Sequence, residues 1–511
     1  MRYIRSILTI VCAALCLLSL VACQRETVVP ETTAPPLSAV PSLQPGVVQP
    51  SAELPTGMPD QALPEAVEAS FFQPDEAGRI NQYSVNLATD AKRIGGGMEL
   101  RYYNGSEDAL EAVYVHLYPN AVEPGCFAVQ SVCYDEAQAH PINYRLEQEG
   151  ALVMIPLARP LRAGESVALW ITFTLEIPEL EGRFGRDADA VTLGNFLPIF
   201  SVYEDGAWRK DAYTLAGDAF YSETADYTVR LTSPARYTLA ATGKITEQGP
   251  GSGGTVSTTI SASGVRDFAL ALMRDAKRWE MSGPEGVSVN VTAGRQAHLE
   301  FLGVNAIDIL GFFNQRIGTY AYDSLSITPC GLTSGGMEYP GMILIGTRYL
   351  FPEQQDMGKL ILAHEVAHQW WYSAVGTDAI REPWVDEALC EFLSFDYIRQ
   401  TYGEALFETL WKARFSGMRE GALPAVALGS DLYAFNENAY FESVYAYGSR
   451  MYRELYDDIG GDAFYAALRA VYEQNVGQRG AVSGESLITA FSEAAGKDLS
   501  GWFEDKLQAK R

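Results

Sequence analysis

The sequence predicts a multidomain α+β chain: an antiparallel β-rich N-terminal domain, then a mixed α/β domain that is mostly helical. Three observations carry this. Residues 24–70 are rich in Pro, Thr, Val, Ala and Ser; apolar residues alternate with a period of two from about 75 to 275; from about 295 the period turns helical. A chain of 511 residues has room for two or three domains with cores of their own. The boundaries this predicts are 71–277 for the β-rich domain and 278–511 for the mixed one.

The first 23 residues predict a targeting segment. Arg2 and Arg5 form a positive start, and Ile7 to Val21 form an apolar stretch too short for a comfortable transmembrane helix. Leu20-Val21-Ala22-Cys23 resembles a bacterial lipobox. That resemblance implies cleavage before Cys23, lipidation of its thiol, and an exported protein anchored by lipid on the extracytoplasmic side of a bacterial membrane. No later segment offers 18 consecutive apolar residues, so the expectation is an anchored chain and not a spanning one. Residues 24–70 cannot bury enough apolar surface to fold and read as an extended tether. The formal net charge of −26 argues against a nucleic-acid partner, whose phosphates demand clustered Lys and Arg.

In the β-rich region Tyr83, Val85 and Leu87 alternate with polar residues, as do Val113, Val115 and Leu117, then Val153, Ile155 and Leu157. Frequent Gly, Pro, Asn and Asp between the runs predict antiparallel sheets packed as a sandwich or saddle. His116, His140 and His298 read as structural, turn and helix-start residues. Cys126 and Cys133 either close a small disulfide loop or, with Cys330 and Cys390, remain buried thiols. Beyond 295, helices are predicted at about 295–317, 357–374, 384–401, 440–457, 462–475, 484–495 and 499–507, with strands at 324–328 and 342–345.

Chemistry concentrates in this second half. His364-Glu365-Val366-Ala367-His368 is an HExxH motif: on a helix, positions four apart share a face, so both imidazoles reach one metal. Glu365 then stands beside the metal and not on it. Glu387 follows His368 with residues 369–386 between them, and Pro383 is placed to start its helix. Two His, one carboxylate and an open fourth position form the ligand pattern of catalytic zinc, one ion per chain. Glu391, one turn beyond Glu387, is either a partner for a ligand histidine or a solvated carboxylate.

With its 18-residue spacing this constellation resembles the M1 aminopeptidases of the gluzincin group. Gly335-Gly336-Met337-Glu338-Tyr339 resembles that family's exopeptidase loop, with Tyr339 where Asn is usual. Tyr440-Phe-Glu-Ser-Val-Tyr445-Ala-Tyr447-Gly448 is similar to its catalytic-tyrosine segment. The resemblance implies a thermolysin-like catalytic domain, with the family's C-terminal helical domain absent or reduced to the last helices. It implies peptide substrates, His364, His368 and Glu387 as zinc ligands, and Glu365 as general base. It further implies Tyr445 as the oxyanion donor, with Tyr440 and Tyr447 as rivals, and Glu338 on the substrate's α-ammonium. Gly335, Gly336 and Met337 would line the peptide as an edge strand.

No TQxE-like motif, a second amine-binding element of the family, occurs; Leu193-Gly194-Asn195 stands in the comparable region, and Asn195 is the candidate replacement. Three readings therefore stay open: an aminopeptidase, a zinc endopeptidase or narrow hydrolase, and a surface binding protein on a peptidase fold.

Overall fold

The computed structural model describes residues 63–418 and 421–511. Cys23, the apolar leader and residues 24–62 of the expected tether lie outside the described residues. The end of that tether is corrected. Glu65–Ala69 form a helix, and Phe71–Phe72 pair with Ser166–Glu176. Val67 and Phe71 are buried, so this short apolar motif packs on the β-rich domain although its surroundings are Pro-rich.

The β-rich domain is built around an eight-stranded sheet. Its spine runs Phe71–Phe72, Ser166–Glu176, Arg93–Tyr103, Asn81–Thr89, Ala225–Pro234, Thr255–Val265 and Lys244–Pro250, with Phe127–Cys133 also on Ser166–Glu176. Two four-stranded sheets and a two-stranded one, Tyr203–Glu204 with Ala207–Trp208, complete it. The period-two alternation is realised: Tyr83, Val85 and Leu87 point into one core with Val229, Leu231 and Ile171. One pairing departs from the antiparallel expectation, since Asn81–Thr89 and Ala225–Pro234 run parallel. Strands far apart in sequence need no hairpin, so no turn dictates their direction. Cys126, Cys133, Cys330 and Cys390 are all free and buried. His116 is buried and stacks on Tyr118, ring centroids 4.9 Å apart.

The next strand, Lys277–Ser282, belongs to a different sheet of five, ordered Lys277–Ser282, Ser288–Ala293, Ser324–Cys330, Met342–Gly346, Gly336–Met337. Gly336–Met337 is its edge, antiparallel to Met342–Gly346. The Gln296–Arg316 helix packs on this sheet through Leu299, Leu302, Ile309, Leu310 and Phe313. A small apolar seam of Ala240, Ala269, Ala271, Met337, Tyr339, Met342 and Leu344 joins the edge to the β-rich domain. A buried guanidinium adds a polar tie: Arg209 binds Glu204 and Asp211 of its own domain and Asp378, at 2.8, 2.7 and 2.7 Å.

Three helix expectations change. The helix predicted to reach 374 is Gln355–Ala367, capped at His368. Tyr372 then adopts a left-handed φ of 82°, folding residues 369–375 back. The predicted 384–401 helix begins as a turn of π-helix, Trp384–Ala388, before Leu389–Tyr402. A π segment, Phe441–Gly448, also interrupts the predicted 440–457 helix. Glu404–Arg414 is an additional helix, hidden because Gly403 separates it from its neighbour by a single residue. Among the described residues no helix is long and apolar enough to cross a membrane.

Candidate metal centre

The HExxH residues sit in the last turns of the Gln355–Ala367 helix, buried under Ile361, Leu362 and Trp370. His364 Nε2 lies 3.1 Å from His368 Nε2 and 3.1 Å from Glu387 Oε2, while His368 Nε2 lies 3.4 Å from the same oxygen. The opposite ring nitrogens face carboxylates: His364 Nδ1 is 3.0 Å from Glu391 Oε2, and His368 Nδ1 is 2.8 Å from Asp386 Oδ1. With a proton on each Nδ1, both Nε2 atoms carry lone pairs directed at each other and at Glu387. Three groups that converge in this way fit a divalent cation taking the place of the proton they share without it, and the set His₂Glu suits zinc.

Each supporting carboxylate is itself held. Glu391 accepts from Arg414 Nε at 2.8 Å, and Asp386 accepts from Thr377 Oγ1 at 2.8 Å. Glu391 thus takes the ligand-partner alternative and is not a solvated carboxylate; it is 1% exposed. Sequence reasoning misses Asp386, although its place directly before Glu387 is a usable signal: neighbours in a wound segment can meet the same imidazole from two sides. Cys390 also lies near His368 and Asp386. Burial pushes its thiol up to about 12, so it is not a thiolate ligand at neutral pH.

Burial and neighbouring charges set the remaining groups apart. Glu365 is buried, and burial, opposed by His364 and His368, moves its carboxyl up to about 7. Its side chain lies against Gly336, where an added Cβ would stand 2.5 Å from Glu365 Cδ. Burial, then the Glu387 carboxylate, holds the Tyr445 phenol well above its ordinary range, so it is a proton donor at neutral pH. Its ring lies 5.8 Å from that of His364 and stacks on Phe441. Of the rivals, Tyr447 donates to the Lys506 carbonyl, away from the metal ligands. Tyr440 is buried with its hydroxyl unpartnered.

Glu338 follows the edge strand and is buried beside Glu387 and Asp218, one carboxylate oxygen of each within 4.8 Å of the others. Gln369 fixes this segment. Its Oε1 accepts from Gly341 N at 2.8 Å, and its Nε2 donates to the carbonyls of Glu338 and Tyr339 at 3.3 Å. Asn195 is corrected. It has a φ of 50°, donates to Asp267 and accepts from the Tyr339 hydroxyl at 3.1 Å, so it braces Tyr339 from behind. Asp218, paired with Arg183, is the β-rich domain's carboxylate near Glu338, and no sequence motif marks it.

The chain is similar to known peptidases. Residues 305–505 match the Peptidase family M1 domain. Aminopeptidase N of Lactococcus lactis subsp. lactis is 28% identical over 191 residues, 34% of this chain and 22% of that protein. Aminopeptidase 2 of Candida albicans (strain SC5314 / ATCC MYA-2876) is 24% identical over 230 residues, 42% of this chain and 24% of that protein. The chain thus spans less than a quarter of the length of these two relatives. The crystal structure of a mutant M1 zinc metallopeptidase from Deinococcus radiodurans superposes with a TM-score of 0.60 at 17% identity, over 84% of this chain and 94% of that one. The same mutant bound to a Tyr-Ser-Ala substrate gives 0.61 at 17% identity, over 85% and 94%. The likeness in fold therefore takes in much of the β-rich domain as well.

Proposed function

We propose that this chain, which carries a peptidase family M1 domain, is a zinc aminopeptidase removing N-terminal residues from peptides. One observation supports this most: the Glu338 carboxylate is buried within 4.8 Å of the ligand Glu387, at the end of an open sheet edge. A carboxylate there holds a free amine at a fixed distance from the metal ligands, and so selects the first peptide bond.

His364, His368 and Glu387 would hold one zinc ion. Bound there, zinc polarises the scissile carbonyl and lowers the pKa of a coordinated water to about 7. Glu365 accepts the proton of the attacking water at its carboxylate and delivers it to the departing amine; a carboxyl moved up to about 7 suits both directions. Tyr445 donates its hydroxyl proton in a hydrogen bond to the developing oxyanion. Gly336–Met337 offers its free edge to the substrate backbone as an added strand. Glu391 and Asp386 keep the imidazoles turned to the metal.

The export signal and lipidated Cys23 complete the reading: an enzyme tethered outside the cytoplasm and acting on peptides at the bacterial surface. Cys23→Ser should release the protein from the membrane fraction. The test of function compares a peptide bearing a free N-terminus with its N-acetylated twin, each with chelator and with zinc restored. Zinc-dependent cleavage of the free peptide alone is the expected result. Equal cleavage of both would replace the proposal with an endopeptidase, and cleavage of neither would favour a binding protein.

A further inference from the structure

We propose that Arg414 is a positioning residue for the hydrolysis: its guanidinium, held by Glu391, sets the Tyr445 ring against the metal ligand His364. This rests on the zinc-peptidase chemistry proposed above, in which Tyr445 donates to the oxyanion, and it gives a role to a residue outside every sequence motif.

Arg414 ends the Glu404–Arg414 helix, an element the periodicity does not reveal. Phe407 and Leu410 bury one side of that helix, and past its end Phe415 packs on Trp411 and Phe441, ring centroids 5.0 and 6.0 Å apart. Arg414 is thereby turned inward, its side chain 15% exposed. Its Nε donates to Glu391 Oε1 at 2.8 Å, and the other oxygen of that carboxylate, Oε2, lies 3.0 Å from His364 Nδ1. The guanidinium carbon lies 5.0 Å from the centre of the Phe441 ring and 5.5 Å from that of Tyr445. Phe441 in turn stacks on Tyr445 at 5.6 Å, and the Tyr445 ring lies 5.8 Å from that of His364.

His364, Glu391, Arg414 and Tyr445 therefore form a closed circuit, in which one carboxylate and one guanidinium space a metal ligand from the oxyanion donor. Charge pairing alone does not call for this arrangement. An ammonium would neutralise Glu391 as well, whereas a planar guanidinium holds a carboxylate by its edge and aromatic rings by its faces. A phenol serves an oxyanion only from about 2.7–3.1 Å, and flat ring contacts by themselves leave it free to slide. A guanidinium fixed by a charged hydrogen bond removes that freedom. The hydrogen bond of Arg414 goes to Glu391 and its face to two rings, so it acts through Tyr445 and not on the substrate.

The test is a double-mutant cycle on the zinc-loaded protein, with Arg414→Lys and Tyr445→Phe alone and together. It reads kcat and KM on a peptide with a free N-terminus, and zinc affinity against a chromophoric chelator. Arg414→Lys keeps a positive charge beside Glu391, so zinc affinity and KM should stay within about threefold, while kcat falls about 10- to 100-fold as the phenol loses its place. In the Tyr445→Phe background the same change should cost kcat less than about threefold, because no hydroxyl is left to misplace. Arg414→Met/Glu391→Gln, which leaves no unpaired charge behind, should show the same dependence on Tyr445 at saturating zinc if Arg414→Lys folds poorly. Full kcat in Arg414→Lys, or an equal loss with and without the Tyr445 hydroxyl, would overturn the role of Arg414 alone. A Tyr445→Phe enzyme of full activity would overturn the reading of Tyr445 and this inference with it. Equal cleavage of the N-acetylated twin would overturn the aminopeptidase reading but not this inference, which the cycle decides on either peptide.

Discussion

Replacing Glu391 with Gln keeps the side chain's shape and removes its charge. That charge has two partners, His364 Nδ1 at 3.0 Å and Arg414 Nε at 2.8 Å. Burial opposes ionisation of Glu391, but Arg414 and His364 outweigh it and bring the carboxyl down to about 2. The wild-type group is thus charged at any working pH. Its loss makes His364 a weaker electron donor, and partners of this kind are worth about 10- to 100-fold in metal affinity, or about 1.4–2.7 kcal/mol. Protons compete for the same site. Burial acts to lower His364, but Glu387 and Glu391 outweigh it and move the metal-free imidazole up to about 9. At pH 7 that proton weakens metal binding by about 100-fold. Without the Glu391 charge the imidazole pKa falls and part of this competition disappears. The loss of zinc affinity in Glu391→Gln should therefore be larger at pH 9 than at pH 7, measured against a chromophoric chelator. Melting of both proteins in excess chelator isolates the separate effect of leaving Arg414 unpaired, which bears on stability. Zinc affinity within twofold of wild type at both pH values, or a larger loss at pH 7, would refute this account.

Further outcomes follow from the same geometry. Glu365→Gln should bind zinc at one per chain by elemental analysis and lose about 100-fold or more in kcat; full activity would remove Glu365 as the base. Tyr445→Phe should lose about 2.7–4 kcal/mol of transition-state stabilisation with KM little changed, and more than Tyr440→Phe or Tyr447→Phe. If Tyr440→Phe proves the most damaging of the three, the oxyanion role moves to Tyr440. Gly336→Ala puts a methyl group onto the Glu365 carboxylate, so kcat should fall at least about tenfold with an unchanged melting temperature; an active Gly336→Ala enzyme would mean that Glu365 works from another position. Burial lowers His116 from 6.5 to about 4. Between those values the unfolded chain binds the proton that the native state refuses, so stability rises with pH across this window. His116→Gln should remove about 3 kcal/mol of that dependence in denaturant titrations at pH 4 and 7, and an unchanged slope would contradict the burial assignment.

The sequence alone marked the three residues proposed as metal ligands, because their spacing is a local matter. His364 and His368 share a helical face whatever surrounds the helix, and Pro383 starts the segment that carries Glu387. It determined the two-part architecture too, since periods of two and 3.6 are written residue by residue. Local periodicity could not distinguish an α turn from the π turns at Trp384–Ala388 and Phe441–Gly448, whose hydrogen bonds span one residue more. Nor could it find Asp386 on His368, Gln369 holding the Glu338 loop, or Asp218 reaching the site from the other domain. Those contacts join residues through folding of the chain and carry no fixed spacing. Only tertiary structure, which sets the β-rich domain against the edge of the five-stranded sheet, decided which carboxylates would meet.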